Sequence, residues 1–275
     1  MATKQAQEVI VEVKDTAMMS VADMEADAGG GFEDTTKDSY AIPFLQILQQ
    51  KSPAIDTDNP KHKKIPGAVT GGIINTVTEE VFQPADGLVV FPCHTMTTYV
   101  EWIPRKNNGG LVAVHDLATG QKLMATTQRV EEEGKIFDRL PNGNDLVDTR
   151  NHYVIAVRAD GSTFPAVINM SITQTKKSKK WVSAMGDMKE KRADGTLWTP
   201  PMWSRAYRLR TEVESKGSNT WRGWSISPER ATDGFPVRPS AEIYAAAKAF
   251  RDAVRAGKVK AQEPREQGAD DDVAF

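Results

Sequence analysis

The chain has 275 residues, 39% of them hydrophobic and 26% charged, which is enough for a real core and for one large β domain or two small ones; a single domain is expected. The formal net charge of -2 is not that of a uniformly basic nucleic-acid binder. One cysteine, Cys93, excludes an intrachain disulfide and a cysteine-based zinc cluster, and no apolar run approaches membrane-spanning length.

Charge is segregated along the chain. Residues 1–38 hold nine acids against three lysines and read as a disordered acidic arm. Such an arm serves either as a solubilising tail or as a mimic of nucleic acid that shields a basic groove. Met1 to Asp15 lacks the basic flank and apolar core of a signal peptide, and with the lone cysteine this predicts a reducing, cytoplasmic location, that of a bacterial host if the chain is phage-encoded.

The ordered domain is expected over residues 39–256. Pro43 suits a helical first turn, and Phe44, Ile47 and Leu48 would share one face, so the pattern predicts a helix up to Gln50. A loop over residues 56–66 follows, whose Lys61, His62, Lys63 and Lys64 are either solvated or extra phosphate contacts. From Val69 the pattern changes to strands: Ile73 to Thr78, Gly87 to Phe91, Thr97 to Ile103 beyond an interruption at Pro92, Leu111 to Val114, and Lys122 to Thr126 after a turn at Ala118 to Gln121. Turns at Pro141 to Asn144 and Ala159 to Ser162 flank Tyr153 to Val157, and Ala166 to Ile172 leads into a lysine cluster.

Between Lys176 and Trp224 there are twelve Lys and Arg against five Asp and Glu, a local excess of seven positive charges. Cations interleaved with flat rings suit a polymer with one charge per unit and an unstacked base beside it, which is single-stranded nucleic acid. The candidate contacts are Lys176, Lys177, Lys179, Lys180, Trp181, Lys189, Lys191, Arg192, Trp198, Trp203, Arg205, Arg208, Arg210, Trp221, Arg222 and Trp224. A smaller set, Tyr99, Trp102, Arg105 and Lys106, would extend the track. If the preceding strand continues through the lysines, Lys177, Lys179 and Trp181 share a face. Tyr207, Leu209, Thr211 and Val213 would then face the core, with Arg208 and Arg210 exposed, and one of Trp221 and Trp224 would be open to a ligand. Met185 to Pro201 reads as a long loop, a flap over the binding face. The competing reading of the same residues is a core of tryptophans beneath a solvated basic surface.

The last element is a helix over residues 240–256, with Ser240 as N-cap, an apolar stripe of Ile243, Ala247, Phe250 and Val254, and Gly257 at its stop. Residues 257–275 form a flexible linker and an acidic tip. No phosphate-binding glycine loop, nucleophile elbow or His-Glu-x-x-His motif occurs, so neither an enzyme nor a cofactor is expected. The minor alternative is a metal-dependent enzyme using Cys93, His94 and His115.

The tip, Asp270, Asp271, Asp272, Val273, Ala274 and Phe275, resembles the end of bacterial single-stranded DNA-binding proteins, Asp-Asp-Asp-Ile-Pro-Phe, with Val273 and Ala274 replacing Ile and Pro. Bacteriophage single-stranded DNA-binding proteins of the T7 type similarly close on acids and a terminal aromatic. The resemblance implies an OB-like barrel, elaborated here with long loops and a C-terminal α-helix. It also implies a non-catalytic, sequence-tolerant role in coating exposed strands during replication, recombination or repair. Partner enzymes (polymerase, helicase, primase or nuclease) would be recruited by the tip, with Phe275 entering an apolar pocket and the aspartates its basic rim. No membrane partner is expected, and a homodimer is compatible with the sequence. The alternative is a structural or host-interaction phage protein without nucleic-acid binding.

Overall fold

The computed structural model describes residues 41–259 apart from 57, 59–61, 133 and 218, together with Glu25. The chain divides into units Met1–Tyr40 and Ala41–Phe275, and the architecture that follows is that of the second. The acidic arm, apart from Glu25, and the acidic tip lie outside the described residues.

The fold is mainly β, with antiparallel sheets and a C-terminal helix. Strands β4 (Leu88–Trp102), β6 (Gln128–Glu132), β7 (Lys135–Arg139), β8 (Asp145–Val157), β12 (Tyr207–Lys216) and β13 (Asn219–Pro228) hydrogen-bond in the order β13-β12-β4-β8-β7-β6. Strand β5 (Leu111–His115) adds to β4, and β9 (Thr163–Ser171) adds to β8. Among the described residues, no pairing joins β13 to β6. A small sheet of β1 (Leu45–Ile47), β2 (Ile73–Asn75) and β3 (Val81–Phe82), and a hairpin of β10 (Glu190–Lys191) and β11 (Leu197–Trp198), complete the strands.

Period-two alternation gives the main sheet two apolar faces. Val154 and Ala156 join Val90, Ile168, Met170, Leu209 and Trp224 on one face. Helix α2 (Thr175–Asp187) covers this face through Trp181 and Met185, and Leu45, Ile47 and Ile73 of the small sheet fill the remainder. Tyr153 and Ile155 point the other way, with Phe91, Cys93 and Val167, under Ala247, Phe250 and Val254 of helix α3 (Ala241–Arg255). Ser240 caps α3 as expected, its hydroxyl accepting from the Ile243 amide at 3.2 Å.

Three sequence expectations are corrected. Residues 43–50 do not form a helix: Leu45–Ile47 pair antiparallel with β2 and Phe44 bridges to Val167 of β9, so long-range pairing overrides the local helical pattern. The expected turn and strand over residues 118–126 is instead helix α1 (Leu117–Met124), capped by Asp116, which accepts from Thr119 N at 2.8 Å. Pro92 does not end a strand; β4 runs through it, with the register shifting between Pro92 and His94. A bulge is where a sheet tolerates a residue without an N–H.

Candidate nucleic-acid interface

The lysine run folds as helix α2, not as a continuation of β9, so the predicted alternation of Lys177, Lys179 and Trp181 does not hold. Ser178, Trp181 and Met185 are the buried positions, spaced three and four apart as one helical face. Trp181 is only 3% exposed, its ring meeting Tyr207 edge-on at 5.6 Å and lying 4.8 Å from His152. Removing such a ring from a core costs about 3–5 kcal/mol, whereas stacking a base on it returns about 1–3. Trp181 therefore stays in the core.

The same face of α2 holds a buried polar contact. His152 Nε2 and Ser178 Oγ share a hydrogen bond of 2.8 Å. Burial, with the nearby Arg150 charge, pushes the His152 pKa down to about 4, so the ring is neutral.

Lys176, Lys179 and Lys180 lie on the opposite, solvent side of α2. Lys176 and Lys179 form no ion pair or hydrogen bond among the described residues, and Lys180 sits within electrostatic range of Glu212. Lys177 points sideways onto the β12–β13 hairpin, where its ammonium meets Glu212 at 2.7 Å and Glu214, and donates to the Trp224 carbonyl. Two carboxylates against one ammonium leave Lys177 nothing for a phosphate.

The hairpin is bound into the fold by side chains. Glu214 also accepts from Trp221 Nε1 at 3.0 Å and from Gln174 Nε2. Gln174 Oε1 accepts from the Trp224 amide, and the Gln49 amide both donates to the Arg222 carbonyl and accepts from the Arg222 N–H, each at 2.8 Å. Trp221 and Trp224 are both buried, against the expectation that one is open. Tyr207 and Leu209 are core as expected, but Val213 is 58% exposed.

Other candidates divide between pairing and exposure. Arg208 is clamped to Glu229 through two guanidinium nitrogens and donates to the Asp86 carbonyl. Arg210 is exposed, with Nε 3.3 Å from the Ala85 carbonyl, and Arg222 is half-buried against Gly71. In the second set, Tyr99 and Trp102 are buried, Lys106 pairs with Glu132 at 2.6 Å, and Arg105 is exposed at the start of a 3₁₀ turn. In the loop after β1, Lys63 pairs with Glu79 at 3.3 Å.

The expected flap is a folded hairpin. Asp194 accepts from the Thr196 N–H and hydroxyl, and Gly195, at φ 87°, closes the turn between β10 and β11. Lys191 and Arg192 are exposed, and the Arg192 guanidinium lies over the half-buried Trp198 ring at 5.8 Å. Lys189 ties the hairpin back to α2, donating to the Gly186 carbonyl at 3.2 Å and to Thr199 Oγ1 at 2.6 Å. Glu190, which the sequence reading passed over, accepts from Arg205 at 3.2 Å and from Arg238 at 3.1 Å. Trp203 is half-buried, edge-on to Tyr244 at 6.0 Å with Arg251 above it.

The residues of the metal-enzyme alternative are not gathered together. Burial pushes the Cys93 thiol up to about 12, and His115 is hydrogen-bonded to Glu101 at 2.9 Å. Among the described residues, no group of three or more His, Cys, Asp and Glu side chains is placed to hold a metal ion. No described helix is long and apolar enough to cross a membrane.

Seen as a whole, the chain carries an exposed lysine row on α2 and a basic hairpin beside it, on a two-faced antiparallel sheet. The family model for Pam3 phage gp34-like proteins matches residues 12–260, and the chain belongs to that phage family. No curated protein and no solved structure matches the chain.

Proposed function

We propose that this phage protein is a non-catalytic, sequence-tolerant single-stranded DNA-binding protein. The observation that carries the reading is the exposed row of Lys176, Lys179 and Lys180 on α2, continued by Lys191 and Arg192 of the hairpin, whereas Lys106, Lys177, Arg205 and Arg208 are each paired with a carboxylate. Unpaired cations on a rigid helix suit a phosphate backbone, and they bind it with little regard for base identity. The burial of Trp181, Trp221 and Trp224 supports phosphate tracking over stacking at those rings. The tip Asp270 to Phe275 is assigned to partner docking on its likeness to the bacterial and phage proteins, with replication or recombination enzymes as the partners.

The test is titration of a fluorescently labelled oligo-dT, followed by anisotropy at several salt concentrations. Saturable binding that weakens steeply with salt is expected. Binding that is absent at low salt would overturn the reading and leave the structural or host-interaction alternative, which the buried tryptophans favour.

A further inference from the structure

The β10–β11 hairpin connects two differently built surfaces. Lys189 fastens it to the last turn of α2, while its neighbour Glu190 reaches the opposite way to Arg205 and Arg238. A single carboxylate thus serves two guanidiniums, and the local charge remains positive. Arg205 and Arg238 are brought side by side because the Ala206 N–H donates to the Val237 carbonyl at 2.9 Å. Arg238 is 69% exposed yet oriented by its Glu190 contact, so most of its N–H donors face solvent in a fixed direction.

Exposed rings flank this oriented cation along the chain, at Phe235 before it and Tyr244 after it. Trp203, two residues before Arg205, supports Tyr244 edge-on, and Tyr244 remains 41% exposed in the first turn of α3. Phe235, in the loop leading to Arg238, is 70% exposed, its amide held by Asp233. An oriented guanidinium at Arg238 and an exposed ring at Tyr244 supported by Trp203 supply the two kinds of group a strand-binding platform needs, one for the phosphate and one for the base.

Resting on the single-stranded DNA reading, we infer that Arg238 and Tyr244 form a second contact zone, a base-stacking one, which a strand reaches from the α2 lysines by crossing the hairpin. The lysine row supplies charge without rings, and the Arg238–Tyr244 surface supplies both. A short oligonucleotide engages one zone, and a longer one engages both as a linked pair.

The experiment compares dT oligonucleotides of about 6 and about 20 nucleotides, within and beyond the span of one small binding site. Full-length wild type, Arg238→Ala/Tyr244→Ala, Tyr244→Phe and Lys176→Ala/Lys179→Ala/Lys180→Ala are titrated, each shown folded by its thermal transition. The Arg238/Tyr244 double variant is expected to lose about tenfold on the long oligonucleotide, in line with one lost stack and one lost phosphate contact. Tyr244→Phe, which keeps the ring, is expected to bind as wild type. If the lysine variant weakens binding but the Arg238/Tyr244 variant matches wild type at both lengths, the second zone is wrong and the DNA-binding reading stands. If wild type binds neither oligonucleotide, both fall together.

Discussion

Gly120 of helix α1 lies directly against the ring of Tyr99 on β4: a Cβ at position 120 would sit 2.1 Å from Tyr99 Cδ2. This contact sets how closely α1 approaches the sheet, with Leu123 and Met124 packing beside Leu140 and Leu146.

Gly120→Ala therefore tests a balance of two effects. Alanine favours a helix over glycine by about 1 kcal/mol, and overpacking a core costs about 1–3. Here the obstructing atoms belong to a buried ring, so overpacking wins and the melting temperature falls. A melting temperature at or above wild type would show that α1 can retreat from the sheet at no cost.

Glu214 holds Lys177, Gln174 and Trp221 Nε1 at once, and Gly223 leaves room for it, since a Cβ there would meet its carboxylate. Glu214→Ala leaves the Trp221 N–H without an acceptor and Lys177 with one carboxylate instead of two. A loss of about 1–3 kcal/mol is expected from chemical denaturation, the typical cost of a stranded buried donor. A loss within error of zero would mean that water replaces the carboxylate fully.

The neutral His152 makes stability depend on acid. Its folded pKa, about 4, lies below the ordinary 6.5, so the unfolded chain takes up a proton first as pH falls. Stability is unaffected above about pH 6.5 and is lost between there and pH 4, by up to about 3 kcal/mol from this ring. His152→Gln removes that share of the slope. Denaturation midpoints at pH 7 and pH 4.5, compared between the two proteins, measure it, and parallel pH profiles would contradict the assignment.

Removing the α2 lysines changes how binding responds to salt as well as its strength. With about 0.7 counterions released per single-strand phosphate contact, Lys176→Ala/Lys179→Ala/Lys180→Ala should flatten the slope of log affinity against log salt by about 2. An unaltered slope would place the phosphate contacts elsewhere.

What the sequence made legible was the β framework. The run at 153–157 falls in β8 and that at 166–171 in β9, with Ile172 opening a 3₁₀ turn, and the cap and stripe of α3 stood out because local chemistry alone defines them. Residues 43–48 misled because their partners are distant: β1 pairs with Ile73–Asn75, and Pro43 and Phe44 with Val167 and Thr76, none of which a local window contains. Gly120 misled for the opposite reason: a glycine placed for close approach looks like a turn.

The α2 lysines hid a helix whose signal was present. Ser178, Trp181 and Met185 sit at helical spacing, but the preceding β-rich run drew the strand reading onward. Within the candidate site, exposure of the α2 lysines survives the change of element. The role of Glu190 did not emerge from sequence, since its partners lie 15 and 48 residues away and become neighbours only through the fold.

The glutamine clasps on β13 have a further meaning for how copies of the chain meet. At the middle of its outer edge, the donors and acceptors of Arg222 and Trp224 are already occupied by Gln49, Gln174 and Lys177. An edge strand left bare invites another molecule to add a strand, the route to runaway aggregation. Here that template is blanked at its centre by side chains, so many copies can crowd together without zipping into a continuous ribbon through β13.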